Sequence, residues 1–229
     1  MSTDIVLDKN TPWAEIPAMV LPAYLETWTM VSIVMVMVIA IGGIIGVLLF
    51  NSSQRGLFPN SKLYLSLSSI VNVGRSLPFL VLMAAIIPFT KWLTGTTIGI
   101  AAAVVPMTIA GIPFFARLVE GALNDLAPEM TSVGRVSGGT NLQIIYEVQI
   151  KEALPSLVAA ITLNLIAMIE YSAIAGTIGA GGIGYLAVLY GYQRFDHHIM
   201  IATIVTLIVT IQVVQFIGNQ IRNRLLKHA

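Results

Sequence analysis

The sequence predicts an all-α membrane protein that crosses the bilayer with five helices. Three observations support this fold class: the chain is 56% hydrophobic, it is only 10% charged, and its mean hydropathy is +0.86. Soluble domains carry about a quarter charged residues, so an ordinary soluble domain is excluded. Several uncharged apolar runs are long enough to span a hydrocarbon core, which requires roughly 20 helical residues.

The five predicted spans lie at about residues 30–50, 63–89, 96–115, 153–178 and 198–217. In the first span, Gly42, Gly43 and Gly46 form a small-residue face that allows close contact with another helix. The second and third spans contain four prolines: Pro78, Pro88, Pro106 and Pro113. Membrane helices tolerate proline where neighbouring helices or a cavity satisfy the freed carbonyls. These prolines therefore favour a transport path over a simple anchor.

The segment between the third and fourth spans, residues 119–152, is too charged to lie in the membrane. Its apolar residues recur three or four positions apart, which predicts an amphipathic helix. These residues are Val119, Leu123, Leu126, Met130, Val133 and Val136. Gly138 and Gly139 then end the pattern. A folded polar loop with an apolar stripe is expected to dock against a soluble partner.

A second short helix is predicted after the two glycines. Thr140 and Gln143 have the spacing of a capping box, which marks a helix N-terminus. One face of this helix is predicted to carry Leu142, Ile145 and Val148.

The distribution of Lys and Arg predicts the orientation, because cytoplasmic loops carry an excess of both. With the N-terminus outside, five spans place the C-terminus inside. The inside segments then hold Arg55, Lys62, Arg117, Arg135, Lys151, Arg222, Arg224 and Lys227, and the outside segments hold Lys9, Lys91 and Arg194. We therefore predict an extracytoplasmic segment 1–26, a transmembrane domain 27–218 with a cytoplasmic loop 119–152, and a basic cytoplasmic tail 219–229. The acidic first segment is unlike the basic start of a signal peptide, so none is expected.

Two charged residues, Arg75 and Glu170, fall inside predicted spans. A charge at the bilayer centre costs about 2.5–3.5 kcal/mol on insertion scales, so it normally faces protein or water. The two side chains either pair in the helix bundle and stabilise one position of a gate, or act separately. In the second case Arg75 extends towards the cytoplasmic face and Glu170 meets water in a cavity.

The run from Gly179 to Gly184 matches the G-x-G-x-x-G pattern of dinucleotide-binding sites. That fingerprint requires a preceding strand in a soluble βαβ unit, whereas this run follows a membrane span. We interpret it as a backbone hinge near a pore mouth, with Gly179, Gly181 and Gly182 as the hinge residues. A flexible turn at the membrane surface is the alternative.

No catalytic site is predicted in this chain. It has no cysteine, no Gly-Lys pair of the kind that binds ATP phosphates, and no basic run typical of nucleic-acid binding. His197 and His198 have no acidic cluster beyond Asp196, so no metal site is expected.

Six longer motifs stand out: residues 72–79 (NVGRSLPF), 87–90 (IPFT), 115–120 (FARLVE), 152–157 (EALPSL), 171–173 (YSA) and 179–192 (GAGGIGYLAVLYGY). Together they resemble the inner-membrane permeases of methionine ABC importers, over most of the chain after residue 70. The general signature of importer permeases, E-A-A-x3-G-x9-I-x-L-P, fits at Gly138, Val148 and Ile150. It departs at residues 132–134 (SVG in place of EAA) and at Lys151 in place of proline.

The resemblance implies a multi-pass protein of the bacterial cytoplasmic membrane, embedded in lipid, that pairs with a second copy of itself. It implies two ATP-binding cassette subunits that bind ATP and Mg²⁺, so that this chain itself needs no cofactor. A substrate-binding lipoprotein would deliver L- or D-methionine from outside. The loop would hold a coupling helix that docks on the ATPase through Pro128, Glu129, Ser132, Arg135 and Gly138.

The resemblance also places the translocation path and its gate at Glu170, Tyr171 and Ile174. In the family the position before Tyr171 is commonly small and the gate position is often methionine, so Glu170 and Ile174 depart from the pattern. Glu170 could change which substrate passes. The alternatives are an importer of another amino acid or small peptide, an ion-coupled carrier with Arg75 and Glu170 as its relay, and a membrane scaffold without transport.

Overall fold

The computed structural model describes residues 10–227, apart from the side chain of Pro128, and within this range it contains helices and no strand. The all-α prediction is therefore confirmed. The α-helices are α1 (Ile16–Ser52), α2 (Ser61–Ser76), α3 (Phe79–Ala85), α4 (Ile87–Thr94), α5 (Ile100–Asn124), α6 (Pro128–Val136), α7 (Asn141–Gln143), α8 (Leu154–Gly176), α9 (Gly182–Tyr185) and α10 (His197–Leu226). A first π-helix (Ile144–Ile150) continues from α7, and a second (Leu186–Gln193) continues from α9.

Four helices, α1, α5, α8 and α10, are long and apolar enough to cross a membrane. They match four of the predicted spans in position, but α1 and α10 extend beyond the predicted limits at residues 27 and 218. The second predicted span, 63–89, is not one helix. It divides into α2, α3 and α4, with a bend of 97° between α2 and α3. These two helices are long and apolar enough to cross a membrane only when they are taken together.

Pro78 explains the break between α2 and α3. A proline disfavours helical backbone in the residue before it, and Leu77 is extended, with φ −86° and ψ 127°. By contrast, α5 continues through Pro106 and Pro113 as one helix. The described chain thus holds four spans, or five if the bent pair counts as one.

The described residues form two compact units. The first unit comprises residues 10–35, 78–108 and 166–213, and the second comprises residues 36–77, 109–165 and 214–227. The four long helices contribute residues to both units.

In the second unit, α1 packs closely on α5 through glycine. A Cβ on Gly46 would lie 2.6 Å from the carbonyl oxygen of Ala116 and 2.6 Å from Cβ of Val119. A Cβ on Gly42 would lie 2.9 Å from another α5 carbonyl, whereas one on Gly43 would meet its nearest atom at 3.9 Å. The predicted small-residue face is therefore confirmed at Gly42 and Gly46, while Gly43 has room for a side chain.

A charged network holds α2 against α5 in the same unit. The guanidinium of Arg117 pairs with Glu120 at 2.5 Å and donates hydrogen bonds to Ser68 (2.8 Å) and Asn72 (2.7 Å). The hydroxyl of Tyr64 donates to the second carboxylate oxygen of Glu120 at 3.1 Å. Glu120 is buried, and a buried carboxylate is tolerated only when it is paired and hydrogen-bonded.

In the first unit, the start of α10 is tied to the segment that precedes α1. Asp196 accepts hydrogen bonds from the hydroxyl (2.6 Å) and the N–H (2.9 Å) of Thr11, and from the N–H of Ile199 (3.1 Å). Burial acts to raise the pKa of the Asp196 carboxyl, but these hydrogen bonds lower it below its usual 3.8. The ring of His198 lies 4.4 Å from that of Trp13, between centroids.

The close contact at Gly46 predicts a stability difference between two glycine variants. Gly46→Ala should destabilise the protein by about 1–3 kcal/mol, because the added methyl group overpacks the α1–α5 contact. Gly121→Ala is the matched control, since a Cβ there meets nothing within 4 Å. In an exposed helix interior this exchange is neutral or stabilises by up to about 1 kcal/mol. Thermal unfolding of the detergent-solubilised protein measures both, and equal midpoints would contradict the close packing.

Candidate functional site

The predicted docking loop consists of α6, α7 and the first π-helix, called here the loop helices. The prediction of one amphipathic helix from Val119 to Val136 is wrong. The long helix α5 continues to Asn124, so Val119 is a buried part of a span, and α6 starts only at Pro128. The physical reason is the proline, because Ala127 before it is extended, with ψ 131°.

The end of α6 and the start of α7 agree with the sequence prediction. Gly138 has φ +77°, and the N–H of Gly139 donates to the carbonyl of Gly134 at 3.2 Å, which closes the helix. Both hydrogen bonds of the capping box are present: the Thr140 side chain accepts from the N–H of Gln143, and the Gln143 side chain accepts from the N–H of Thr140. Glycine is required at position 138 because side chains rarely adopt this left-handed conformation.

The predicted apolar face of the second loop helix is wrong, because the helix changes its winding. Leu142 is exposed, and the buried residues are Ile144 and Gln149, five positions apart. In an α-helix such residues point about 140° apart. A π-helix, whose hydrogen bonds link residues five apart, brings them towards one face.

Gln149 binds Asn51 at the C-terminal end of α1. The two amides exchange hydrogen bonds of 2.9 and 3.0 Å, and both side chains are 0% exposed. The Asn51 amide also donates to the carbonyl of Val47 at 3.0 Å and accepts from the N–H of Leu57 at 3.3 Å. The hydrogen-bonding capacity of Asn51 is therefore fully used.

Among the residues predicted to contact an ATPase, Arg135 faces its own chain. Its guanidinium donates to the carbonyl oxygens of Leu57 and Gly56, in the link between α1 and α2. Glu129 and Ser132 are exposed on α6. The exposed apolar side chains of α6 are Val133 (60%) and Val136 (90%). Pro128 begins the helix, and its side chain lies outside the described part of the structure.

The predicted path residues lie on α8 in the first unit. The ring of Tyr171 stacks on that of Phe79 at 4.3 Å between centroids, with 6° between their planes. Ile174 is half-buried. Glu170 is exposed and makes no hydrogen bond or ion pair within the described chain. The sequence did not indicate Phe79, although both aromatic residues belong to the quoted motifs.

The proposed pairing of Arg75 with Glu170 remains a prediction. Arg75 belongs to the second unit, where its guanidinium lies 6.0 Å from the centroid of the Phe114 ring, and Glu170 belongs to the first.

The glycine-rich turn that was predicted as a hinge binds a carboxylate of the same chain. Gly179, Gly181 and Gly182 all have positive φ, at 91°, 86° and 78°. The N–H of Gly182 donates to a carboxylate oxygen of Glu26 at 2.7 Å. A Cβ on Gly181 would lie 2.6 Å from that oxygen, so any side chain there would displace it.

A second bond supports this contact. The N–H of Ile183 donates to the hydroxyl of Thr27 at 3.0 Å, and Thr27 is buried. Consecutive N–H groups in such a turn form an anion-binding nest. Here Glu26 and Thr27 of α1 use the donors that a nucleotide phosphate would need, and no sequence signal marked either residue.

A family model described as the inner membrane component of binding-protein-dependent transport systems matches residues 39–227. The chain belongs to this family.

Three transport-system permeases are similar to this chain in sequence, and the matched part differs in length among them. A probable D-methionine transport system permease protein MetI of Vibrio cholerae is 45% identical over 206 residues, which is 90% of this chain and 92% of the relative.

The methionine import system permease protein MetP of Bacillus subtilis is 38% identical over 77% of this chain and 79% of its own. The D-methionine transport system permease protein MetI of Escherichia coli is 44% identical over 59% of this chain and 63% of its own.

Two solved structures have the same fold as this chain. A chain of the MetNI methionine ABC transporter in an inward-facing conformation is 36% identical, with a TM-score of 0.90, and the match covers 94% of this chain and 99% of that one. A chain of an amino acid ABC transporter is 19% identical, with a TM-score of 0.75, and supports the fold alone.

The contact between Glu26 and the turn predicts that Gly181→Ala is more harmful than Gly99→Ala. Both glycines have φ +86°, but an added Cβ would meet the Glu26 carboxylate at position 181 and nothing within 4 Å at position 99. We expect an extra loss of about 1–3 kcal/mol at position 181, the usual range for hydrogen bonds to a charged group.

Thermal unfolding of the two variants measures this difference, and a Glu26→Ala background provides the control. With the carboxylate removed, the cost of Gly181→Ala should fall by about this amount, whereas the cost of Gly99→Ala should not change. A cost at position 181 that is the same with and without Glu26 would refute the contact as its cause.

Proposed function

We propose that this chain is the permease subunit of an ATP-driven importer of methionine, as the L isomer, the D isomer or both. The observation that carries the proposal is the 45% identity, over 90% of the chain, to a probable D-methionine transport system permease. The fold match to the MetNI methionine ABC transporter agrees with it. The chain is a transporter subunit without a catalytic site of its own, and ATP and Mg²⁺ bind its ATPase partner.

The complete importer contains two copies of this chain, two ATP-binding cassette subunits and a substrate-binding lipoprotein. In each copy the bent pair α2 and α3 counts as one span, which makes five. Five spans place the N-terminus outside and the C-terminus in the cytoplasm. The excess of Lys and Arg in the segments that then face inwards supports this orientation.

The loop helices form the docking surface for the ATPase. Val133 and Val136 are exposed on a short polar helix, with Glu129 and Ser132 alongside. Exposed apolar residues with a polar rim are typical of protein interfaces. When the ATPase dimer closes on ATP, it moves the loop helices, and the spans reorient between inward-open and outward-open states.

The substrate passes along α8. The stacked rings of Phe79 and Tyr171 and the side chain of Ile174 provide the apolar lining that suits a thioether side chain. Glu170 lies next to this stack, exposed and without a partner in the described chain. That carboxylate supports a second candidate, the import of another amino acid or small peptide with the same architecture, because it would favour a cationic group.

Uptake by the reconstituted complex tests the proposed function. The chain is placed in liposomes with its ATPase subunit and binding protein, and labelled methionine is measured inside with and without ATP. ATP-dependent uptake is expected, with unlabelled methionine as an effective competitor. Uptake without ATPase would support an ion-coupled carrier, and efficient competition by a different amino acid would support the second candidate.

The docking surface predicts that Val136→Asp weakens assembly with the ATPase. We expect binding to fall at least about tenfold, or about 1.4 kcal/mol, because the variant places an unpaired charge in an apolar contact. Val136→Leu, which keeps an apolar side chain, is the control and should assemble normally. Affinity of the detergent-solubilised subunits measures both, and unchanged binding by Val136→Asp would exclude this surface.

A further inference from the structure

We propose that the buried amide pair of Asn51 and Gln149 joins the loop helices to α1, so that these two positioning residues set how many ATP molecules are hydrolysed per substrate transported. The inference rests on the proposed function. It specifies which membrane helix moves together with the loop helices, which the docking surface alone does not.

The first step is the contact itself. Gln149 lies in the first π-helix and Asn51 is the penultimate residue of α1. Their amides exchange two hydrogen bonds, and both residues are completely buried. A buried amide that loses its partner has no water to replace it, so sliding the loop helices along α1 would leave polar groups unsatisfied.

The second step is that the contact belongs to a closed ring. From Asn51, the chain continues into the link, where Leu57 donates its N–H to the Asn51 side chain and Phe58 donates to the Asn51 carbonyl at 3.1 Å. The carbonyls of Gly56 and Leu57 accept hydrogen bonds from Arg135 of α6. The link therefore joins α1 to α6 as the amide pair joins α1 to the π-helix.

The third step closes the ring between the two loop helices. A Cβ on Gly134 of α6 would lie 3.1 Å from the side chain of Ile144, and one on Gly139 would lie 3.2 Å from it. The helices α6 and the first π-helix therefore pack with no spare space. We therefore expect a movement of α6 to be transmitted to the end of α1, because these contacts form a ring and no one of them can be lost without straining the others.

The pair is also directional in a way that an apolar contact is not. Two antiparallel amide hydrogen bonds fix both distance and orientation, whereas apolar replacements of similar volume lose rigidity before they lose stability. Replacing the pair by apolar residues should therefore preserve the packed loop and lose the transmission of movement. This separates the proposed role from a merely structural one.

The test compares the number of ATP molecules hydrolysed per methionine transported by the whole reconstituted importer. Gln149→Met, and the double variant Asn51→Leu with Gln149→Met, should raise this number at least about fivefold while the complex still assembles. The control is Tyr64→Phe, which removes one hydrogen bond to Glu120 in the same unit away from the loop helices. It should leave the ratio unchanged.

The outcomes are distinguishable. If the wild type shows no ATP-dependent uptake, the proposed function fails. If the wild type couples normally and the assembled double variant has the wild-type ratio, the proposed role of the amide pair is overturned. In the double variant neither amide of the pair remains, although the N–H of Leu57 loses its acceptor. Assembly of each variant is therefore measured before its ratio is compared, and the label distance below tests the proposal if neither variant assembles.

A second measurement decides the question without altering the pair. Because the chain has no cysteine, one exposed residue of α1 and one of the first π-helix can be labelled in it as Leu48→Cys and Glu147→Cys. The distance between two spin labels there should stay constant when the complex binds ATP. A distance that changes on ATP binding would show that α1 and the loop helices move separately and would overturn the proposal.

Discussion

A hydrocarbon interior has no water to satisfy backbone N–H and C=O groups, so a chain that crosses a bilayer must satisfy them internally. This constraint explains the helical architecture of the described residues, and it also explains where side chains become important. Each helix start leaves N–H groups without partners. Polar side chains accept hydrogen bonds from these groups at three places: Asn60 before α2, Thr140 before α7 and Asp196 before α10. At the glycine-rich turn, Glu26 performs the same role from a distant helix.

The glycines of this chain serve two separate purposes. Gly42 and Gly46 have an ordinary helical conformation, but α5 lies so close to α1 that there is no room for a side chain at either position. Gly138 is a glycine because its backbone is left-handed, although nothing lies within 4 Å. Gly181 meets both conditions, with φ +86° and a carboxylate in contact, which makes it the least replaceable of the four. The hinge at this turn remains a prediction, and the carboxylate of Glu26 occupies the N–H group of Gly182 there.

The proposed coupling follows from a division of labour within the loop. Val133 and Val136 point away from their own chain and are available to a partner, while Arg135 between them faces the link. The π-helix turns Gln149 inwards, where it binds α1. One short segment thus has an exposed apolar surface, proposed here to bind the ATPase, and a buried surface that binds α1. The aromatic stack of Phe79 and Tyr171 belongs to the other unit, on the helix proposed to line the path.

The sequence by itself determined the helical membrane fold, four of the spans, the end of α6 before Gly138 and the capping box at Thr140. Each of these depends on residues that are neighbours in the chain or repeat at a fixed period, so a pattern suffices to predict it. Only the tertiary structure decided which side of the loop is buried, because the π-helix violates the period of 3.6 that the prediction assumed. It alone paired Asn51 with Gln149, 98 positions apart, and Glu26 with Gly182, 156 positions apart. A hydrogen bond depends on distance in space, and single-sequence patterns carry no record of which distant residues the packing of helices brings together.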